Sequence, residues 1–104
     1  MSKQTIKLVD TYCVAANWAS MVETNKQTLA ELSAGKPPPG WIEECEDEIK
    51  EWSAKRDKAL AKLRAIVASL TDYEKDWVRR KCRGATLAQE FRALGVEPNW
   101  EQQS

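Results

Sequence analysis

Apolar residues recur at alternating steps of three and four through residues 41–70, and this spacing most constrains the fold. They occupy positions 42, 45, 49, 52, 59, 63, 66 and 70, and Arg56 stands where the series requires one more apolar side chain. Such steps place side chains along one face of an α-helix. The stretch therefore predicts a long amphipathic helix whose apolar face packs against another element.

A second series of the same kind lies upstream, in residues 5–33. Apolar or small residues stand at positions 8, 15, 18, 22, 29 and 32, and Thr11 and Asn25 fill the gaps. Between the series, residues 34–40 contain three consecutive prolines and Gly40, which a helix does not accommodate. If the chain reverses there, facing residue numbers add up to a constant 74 in eight successive layers. We therefore predict an antiparallel, coiled-coil-like hairpin of helices 5–33 and 41–70.

Two polar residues within the facing series have structural interpretations. Arg56 shares a layer with Trp18, where its guanidinium is expected to lie on the indole face. The functional alternative is a buried arginine that binds an anionic ligand. Asn25 is interpreted as a polar residue that fixes the register or the number of chains.

The sequence after Leu70 predicts two short helices. Thr71 and Glu74 form a capping-box pattern, which predicts a helix over 72–82 with an apolar side that includes Tyr73. Thr86 is expected to cap a fourth helix over 86–94, and residues 97–104 to form a tail that is loose apart from Trp100. The expected fold is all-α, a single domain over 1–104. Both short helices are expected to pack on the free end of the hairpin, which is the end opposite the proline loop.

The hairpin has an apolar surface on which the short helices can dock, and it lies on one side only. Tyr12, Leu60 and Val67 lie beside the facing series on that side. The opposite flank carries Val14 and Met21 beside charged residues, and no further element in the sequence is expected to cover it. An apolar pair with a charged rim is typical of a protein-binding patch.

Composition argues against several functional classes. The chain has 104 residues with sixteen basic and sixteen acidic side chains, no histidine and three cysteines without a C-x-x-C pair. We therefore expect no metal, no cofactor and no catalytic activity. The acidic residues 43–48 are interpreted as charges that complement the start of a helix. Residues 1–34 lack the apolar run of a signal peptide, and no stretch suits a membrane span, so a cytoplasmic protein without membrane contact is expected.

Residues 70–96 resemble the first two helices of the helix-turn-helix in sigma-factor and LuxR-type regulators. The matching positions are Leu70-Thr71, Glu74, Gly84, Glu90 and Leu94-Gly95-Val96. The resemblance implies DNA binding through a recognition helix after Val96. The chain departs from the pattern at Phe91, where the family has a small residue, and at Pro98, where the recognition helix would lie.

We therefore predict a non-catalytic protein–protein interaction module, a small regulatory or inhibitory protein. Phages and mobile elements often encode such chains, anti-CRISPR-type inhibitors among them. The expected partner is another protein or a second copy of the chain, bound through Val14, Met21, Trp41 and Trp100. The alternative is a nucleic-acid-binding regulator that uses the basic cluster of residues 75–83, namely Lys75, Arg79, Arg80, Lys81 and Arg83.

Overall fold

The computed structural model describes residues 2–101, and the last three positions of the predicted tail, 102–104, lie outside them. Four helices follow in the order α1 (Lys3–Ala34), α2 (Trp41–Ala68), α3 (Asp72–Lys81) and α4 (Gly84–Ala93). Helices α1 and α2 form the antiparallel hairpin, and the molecule measures 56 × 20 × 19 Å. The predicted all-α fold, a long hairpin with two short C-terminal helices, is confirmed.

The contacts between α1 and α2 agree with the predicted reversal to within one helical turn. The rings of Trp18 and Trp52 lie 6.3 Å apart, and Nδ2 of Asn25 donates to Glu48 at 3.0 Å. These residue numbers add up to 70 and 73. In knobs-into-holes packing, each side chain inserts among four residues of the facing helix. A residue therefore contacts neighbours a few positions away from the one predicted to face it, which accounts for sums slightly below 74.

The hairpin begins two residues earlier than predicted because Ser2 caps α1. The Ser2 hydroxyl accepts a hydrogen bond from the Thr5 amide at 3.1 Å, which satisfies one of the free N–H groups of the first turn. The same hydroxyl donates to the Glu74 carboxylate at 2.6 Å. Glu74 also completes the predicted capping box with Thr71 at the start of α3. Two helix starts are therefore joined through one buried carboxylate.

Helices α3 and α4 cover the predicted side of the hairpin, at its free end. Tyr12 stacks on Phe91 with ring centroids 5.2 Å apart, and its hydroxyl donates to Glu90 at 2.7 Å. Leu60 and Val67 are buried in the same apolar cluster as Phe91. The predicted docking surface for the short helices, around Tyr12, Leu60 and Val67, is confirmed.

Helix α4 begins at Gly84, so the prediction that Thr86 caps it is wrong. Arg83 is the capping residue, in a left-handed conformation with φ 50°, and its carbonyl accepts from the Leu87 amide at 3.1 Å. A Cβ at Gly84 would lie 2.8 Å from the Arg79 Cα and 3.3 Å from the Trp100 ring. The close approach of these three residues sets the start of the helix, and it outweighs the modest preference of threonine for the cap position.

The segment after α4 is docked, so the prediction of a loose tail is wrong at Pro98 and Asn99, whereas Trp100 was expected to be held. Pro98 is buried and Trp100 is 0% exposed. The indole N–H of Trp100 donates to the Gly84 carbonyl at 3.0 Å, and Asn99 donates to the Val67 carbonyl at 2.7 Å. This segment closes the core between α2 and α4.

The predicted apolar side of α3 needs one correction. Val78 is fully buried, but Tyr73 is 74% exposed although it was expected to pack inward. Tyr73 lies in the first turn of α3, one residue before the buried Glu74. The capping box turns Glu74 toward the hairpin, and Tyr73 consequently lies on the solvent side.

Candidate protein-interaction surface

One broad side of the hairpin carries neither α3 nor α4. We call it the uncovered flank and define it by the residues that α1 and α2 present there: Val14, Asn17, Trp18, Met21, Lys55, Lys58 and Lys62. Val14 is 49% exposed, and Met21 is half-buried. Both residues lie where the sequence placed them, beside the facing series and away from the short helices.

A groove of about 300 Å³ runs along the uncovered flank between α1 and α2. Its apolar lining comes from Val14, Trp18 and Ala59, and its basic rim comes from the three flank lysines of α2. Asp10 and Thr11 close one end. The groove therefore pairs an apolar floor with local positive charge on a protein whose net charge is zero.

Lys55, and not Arg56, interacts with the ring of Trp18, so the predicted Arg56–Trp18 stack is wrong. The Nζ atom of Lys55 lies 5.0 Å from the Trp18 ring centroid, within the range of a cation–π contact. The Arg56 guanidinium instead contacts the Asp57 carboxylate at 3.1 Å and faces the covered side near Ala19.

The half of the flank nearer the loop is polar. Asn25 donates to Glu48 across the hairpin, and its carbonyl accepts from the Cys45 thiol at 3.5 Å. Asn17 contacts the Met21 sulfur at 3.7 Å. The interpretation of Asn25 as a residue that fixes the pairing of the helices is consistent with these bonds across the seam.

The two tryptophans predicted to bind a partner differ in their surroundings. Trp41 is 53% exposed at the first position of α2, beside the proline loop, and it is not part of the groove. Trp100 is fully buried, so its assignment to a partner surface is wrong. Its indole packs edge-on against Phe91 with centroids 4.9 Å apart, which accounts for its burial.

The basic cluster on α3 is only partly available to solvent. Arg80, Lys81 and Arg83 are exposed, whereas Lys75 and Arg79 are half-buried. Arg80 pairs with Asp76 at 3.2 Å. Tyr73 and Trp77 line a shallow depression beside Arg80 and Lys81. No helix follows α4 within residues 97–101, where the helix-turn-helix resemblance would place a recognition helix.

The three cysteines lie apart from one another. Cys13 is exposed, Cys45 is buried, and burial raises the pKa of the half-buried Cys82. Among residues 2–101, three or more potential metal ligands do not come together at any point. The described helices also include none with the length and apolarity required to cross a membrane.

No protein-family model, curated protein or solved structure matches this chain.

Proposed function

We propose that this protein is a non-catalytic protein–protein interaction module, of the kind that serves as a small regulator or inhibitor. The observation that carries the proposal is the uncovered flank, an open groove with an exposed Val14 and a tryptophan floor under a lysine rim. Binding surfaces in proteins combine an apolar centre with a polar rim in this way.

The distribution of apolar burial supports the same assignment. The free end of the hairpin buries its apolar side chains under α3, α4 and the segment of residues 96–101. The uncovered flank has the same helices beneath it, but none of the elements within residues 2–101 lies above it. A partner that covers Val14 and Trp18 would remove their apolar surface from water, which is the main favourable term in protein association.

The proposal is tested by charged substitutions on the flank and a matched control. Val14→Glu with Met21→Glu places two carboxylates seven residues apart on the flank. Ser20→Glu with Gln27→Glu places the same charges at the same spacing on the exposed outer face of α1. Both variants are expected to stay folded by circular dichroism, because all four positions lie outside the buried core.

Association is then measured by sedimentation and by capture from the native host with mass spectrometry. We expect the flank variant to lose both self-association and capture, and the outer-face variant to keep what the unmodified protein shows. Equal behaviour of the two folded variants would refute the assignment of the flank.

A nucleic-acid role is the second candidate, favoured by the depression on α3. Exposed Tyr73 and half-buried Trp77 beside Arg80 and Lys81 combine stacking surfaces with phosphate-binding charges. Asp76 neutralises part of that charge through its pair with Arg80. The same capture experiment separates the candidates, because nuclease treatment abolishes capture that depends on nucleic acid and leaves a protein partner bound.

A further inference from the structure

The charges along the uncovered flank of α2 are divided into an acidic and a basic half. Three glutamates are followed by three lysines at alternating steps of three and four, so that all six lie in one stripe: Glu44, Glu48, Glu51, Lys55, Lys58 and Lys62. Five of the six side chains are exposed, and Glu48 is half-buried. At about 1.5 Å per residue the stripe is roughly 27 Å long.

This order of charges does not stabilise the isolated helix. Like charges at positions three or four apart repel each other, and this occurs between Glu44 and Glu48 and again between Lys58 and Lys62. The opposite charges meet at the centre, where Lys55 pairs with Glu51 at 3.7 Å. Alternating charges would give more favourable pairs with the same composition.

The helix dipole accounts for the ends of the stripe but not for its centre. The dipole favours acids in the first turn and bases in the last turn of a helix, and its effect decays within that turn. Glu51 and Lys55 lie in the middle of the 28 residues of α2. The separation into an acidic and a basic half does not hold on the covered side of α2. There Lys50 lies in the acidic half and Asp57 lies in the basic half.

A stripe with this order is complementary to itself in the antiparallel direction. The residue numbers of three opposite pairs each add up to 106: Glu44 with Lys62, Glu48 with Lys58 and Glu51 with Lys55. Two antiparallel copies of α2 can be related by a two-fold axis that crosses the stripe between Glu51 and Lys55. Each of the six charges of one copy would then lie opposite a charge of the other sign on its partner. A two-fold interface of this kind uses the same patch on both subunits.

We propose that a second copy of this chain occupies the uncovered flank, with the two-fold axis perpendicular to the helices and α2 facing α2. The proposal rests on the function proposed above and names the partner. It forms a four-helix arrangement of two hairpins in which the charge stripes set the register and the direction of pairing.

The central part of the α1 flank fits the same axis. Between Val14 and Thr28 its positions on this side are uncharged, so no charge is buried without a partner where α1 meets α1. Met21 lies within one turn of the axis and meets its own copy there. Val14 meets a position near Thr28, while α3 and α4 stay on the outer sides of both hairpins.

The test uses two triple variants of the full chain. The acidic variant, K55E/K58E/K62E, gives the stripe six carboxylates, and the basic variant, E44K/E48K/E51K, gives it six ammonium groups. Sedimentation equilibrium is measured for the unmodified protein, for each variant and for an equimolar mixture. Circular dichroism establishes that each chain is folded.

We expect the unmodified protein to dimerise, with a dissociation constant that rises with salt concentration. Each triple variant should dimerise at least about tenfold more weakly, because six attractive pairs become repulsive. The mixture should dimerise again, since every glutamate then faces a lysine. A variant that combines all six substitutions, and so exchanges the acidic and basic halves, should self-associate again. It provides the test if one of the triple variants does not fold.

Three results would overturn the proposal: an unmodified protein that is monomeric up to about 100 µM, variants that dimerise as the unmodified protein does, or a mixture that stays monomeric. A different outcome is a monomeric chain that captures another protein, with capture abolished by Val14→Glu and Met21→Glu. That result would support the interaction module and exclude only the second copy as its partner. Absence of both dimer and flank-dependent capture would refute both proposals.

Discussion

Replacement of Trp100 by alanine tests the docked C-terminal segment most directly. The side chain is 0% exposed, packs edge-on against Phe91 and donates its N–H to the Gly84 carbonyl at 3.0 Å. Tryptophan-to-alanine changes in a core cost about 3–5 kcal/mol. For a domain of this size that corresponds to a fall in melting temperature of about 12–40 °C. Since small domains are stable by only about 5–15 kcal/mol, the loss is a large part of the total.

The assay is urea unfolding followed by far-ultraviolet circular dichroism, because five tryptophans make fluorescence difficult to assign. Trp41→Ala is the matched control, as Trp41 is 53% exposed and should change the free energy of unfolding by about 0.5 kcal/mol or less. Trp100→Phe keeps an aromatic ring but removes the hydrogen bond to the Gly84 carbonyl, at a cost of about 0.5–1.5 kcal/mol. If Trp100→Ala were no more destabilising than Trp41→Ala, the segment would be undocked.

Two further predictions concern pH. Burial and the hydrogen bond to Glu90 raise the pKa of Tyr12 from 10.0 to about 12, so its contribution to stability is complete below pH 10 and is lost as the pH rises toward 12. Tyr12→Phe should therefore show a smaller alkaline loss in urea unfolding, and an unchanged loss would contradict the assignment. Hydrogen bonds from Ser2 and Thr71 lower the pKa of Glu74 from its usual value of 4.5. The carboxylate therefore contributes to the stability of the fold in full above pH 4.5, and this contribution is lost as the pH falls through the folded-state pKa. Ser2→Ala should reduce the acid-side loss in the same assay, and an acid-side loss as large as that of the unmodified protein would show that this bond does not form.

The hairpin could be predicted from the sequence because its signals are local and repeated. Each of the two series extends over about seven turns or more, and the proline loop between them permits one simple connection. The Thr71–Glu74 capping box depends on residues three apart in the chain and was found for the same reason. The position of the covered side followed from Tyr12, Leu60 and Val67, which mark one edge of the facing series.

The errors at Trp100 and at the start of α4 concern contacts that join distant parts of the chain. The burial of Trp100 depends on Gly84 and Phe91, and the segment of residues 97–101 has no periodicity that would indicate it. The start of α4 at Gly84 has the same cause, since Thr86 is a good cap by local preference. Periodicity predicts which face of a helix is inside, but it does not predict a single side-chain contact across the fold.

The candidate site was predicted in part. Val14 and Met21 could be placed on an open flank because the short helices had an apolar landing elsewhere. The choice between Lys55 and Arg56 as the neighbour of Trp18 could not be made from spacing, because both residues lie within one turn of the facing position. The observed register places Trp18 opposite Trp52 and Lys55, and the Arg56 guanidinium contacts Asp57 instead.

The uneven burial of the hairpin explains why a partner on the uncovered flank would matter for the whole molecule. At the free end Leu8 and Leu63 are fully buried beneath the short helices, whereas Leu29, Ile42 and Ile49 near the loop are half-buried. In the part of the chain that the structure describes, α3, α4 and the segment after them cover the free end. In the proposed antiparallel dimer the free end of one copy would lie beside the loop end of the other, so the partner would cover the loop half of the flank, which has the least apolar burial.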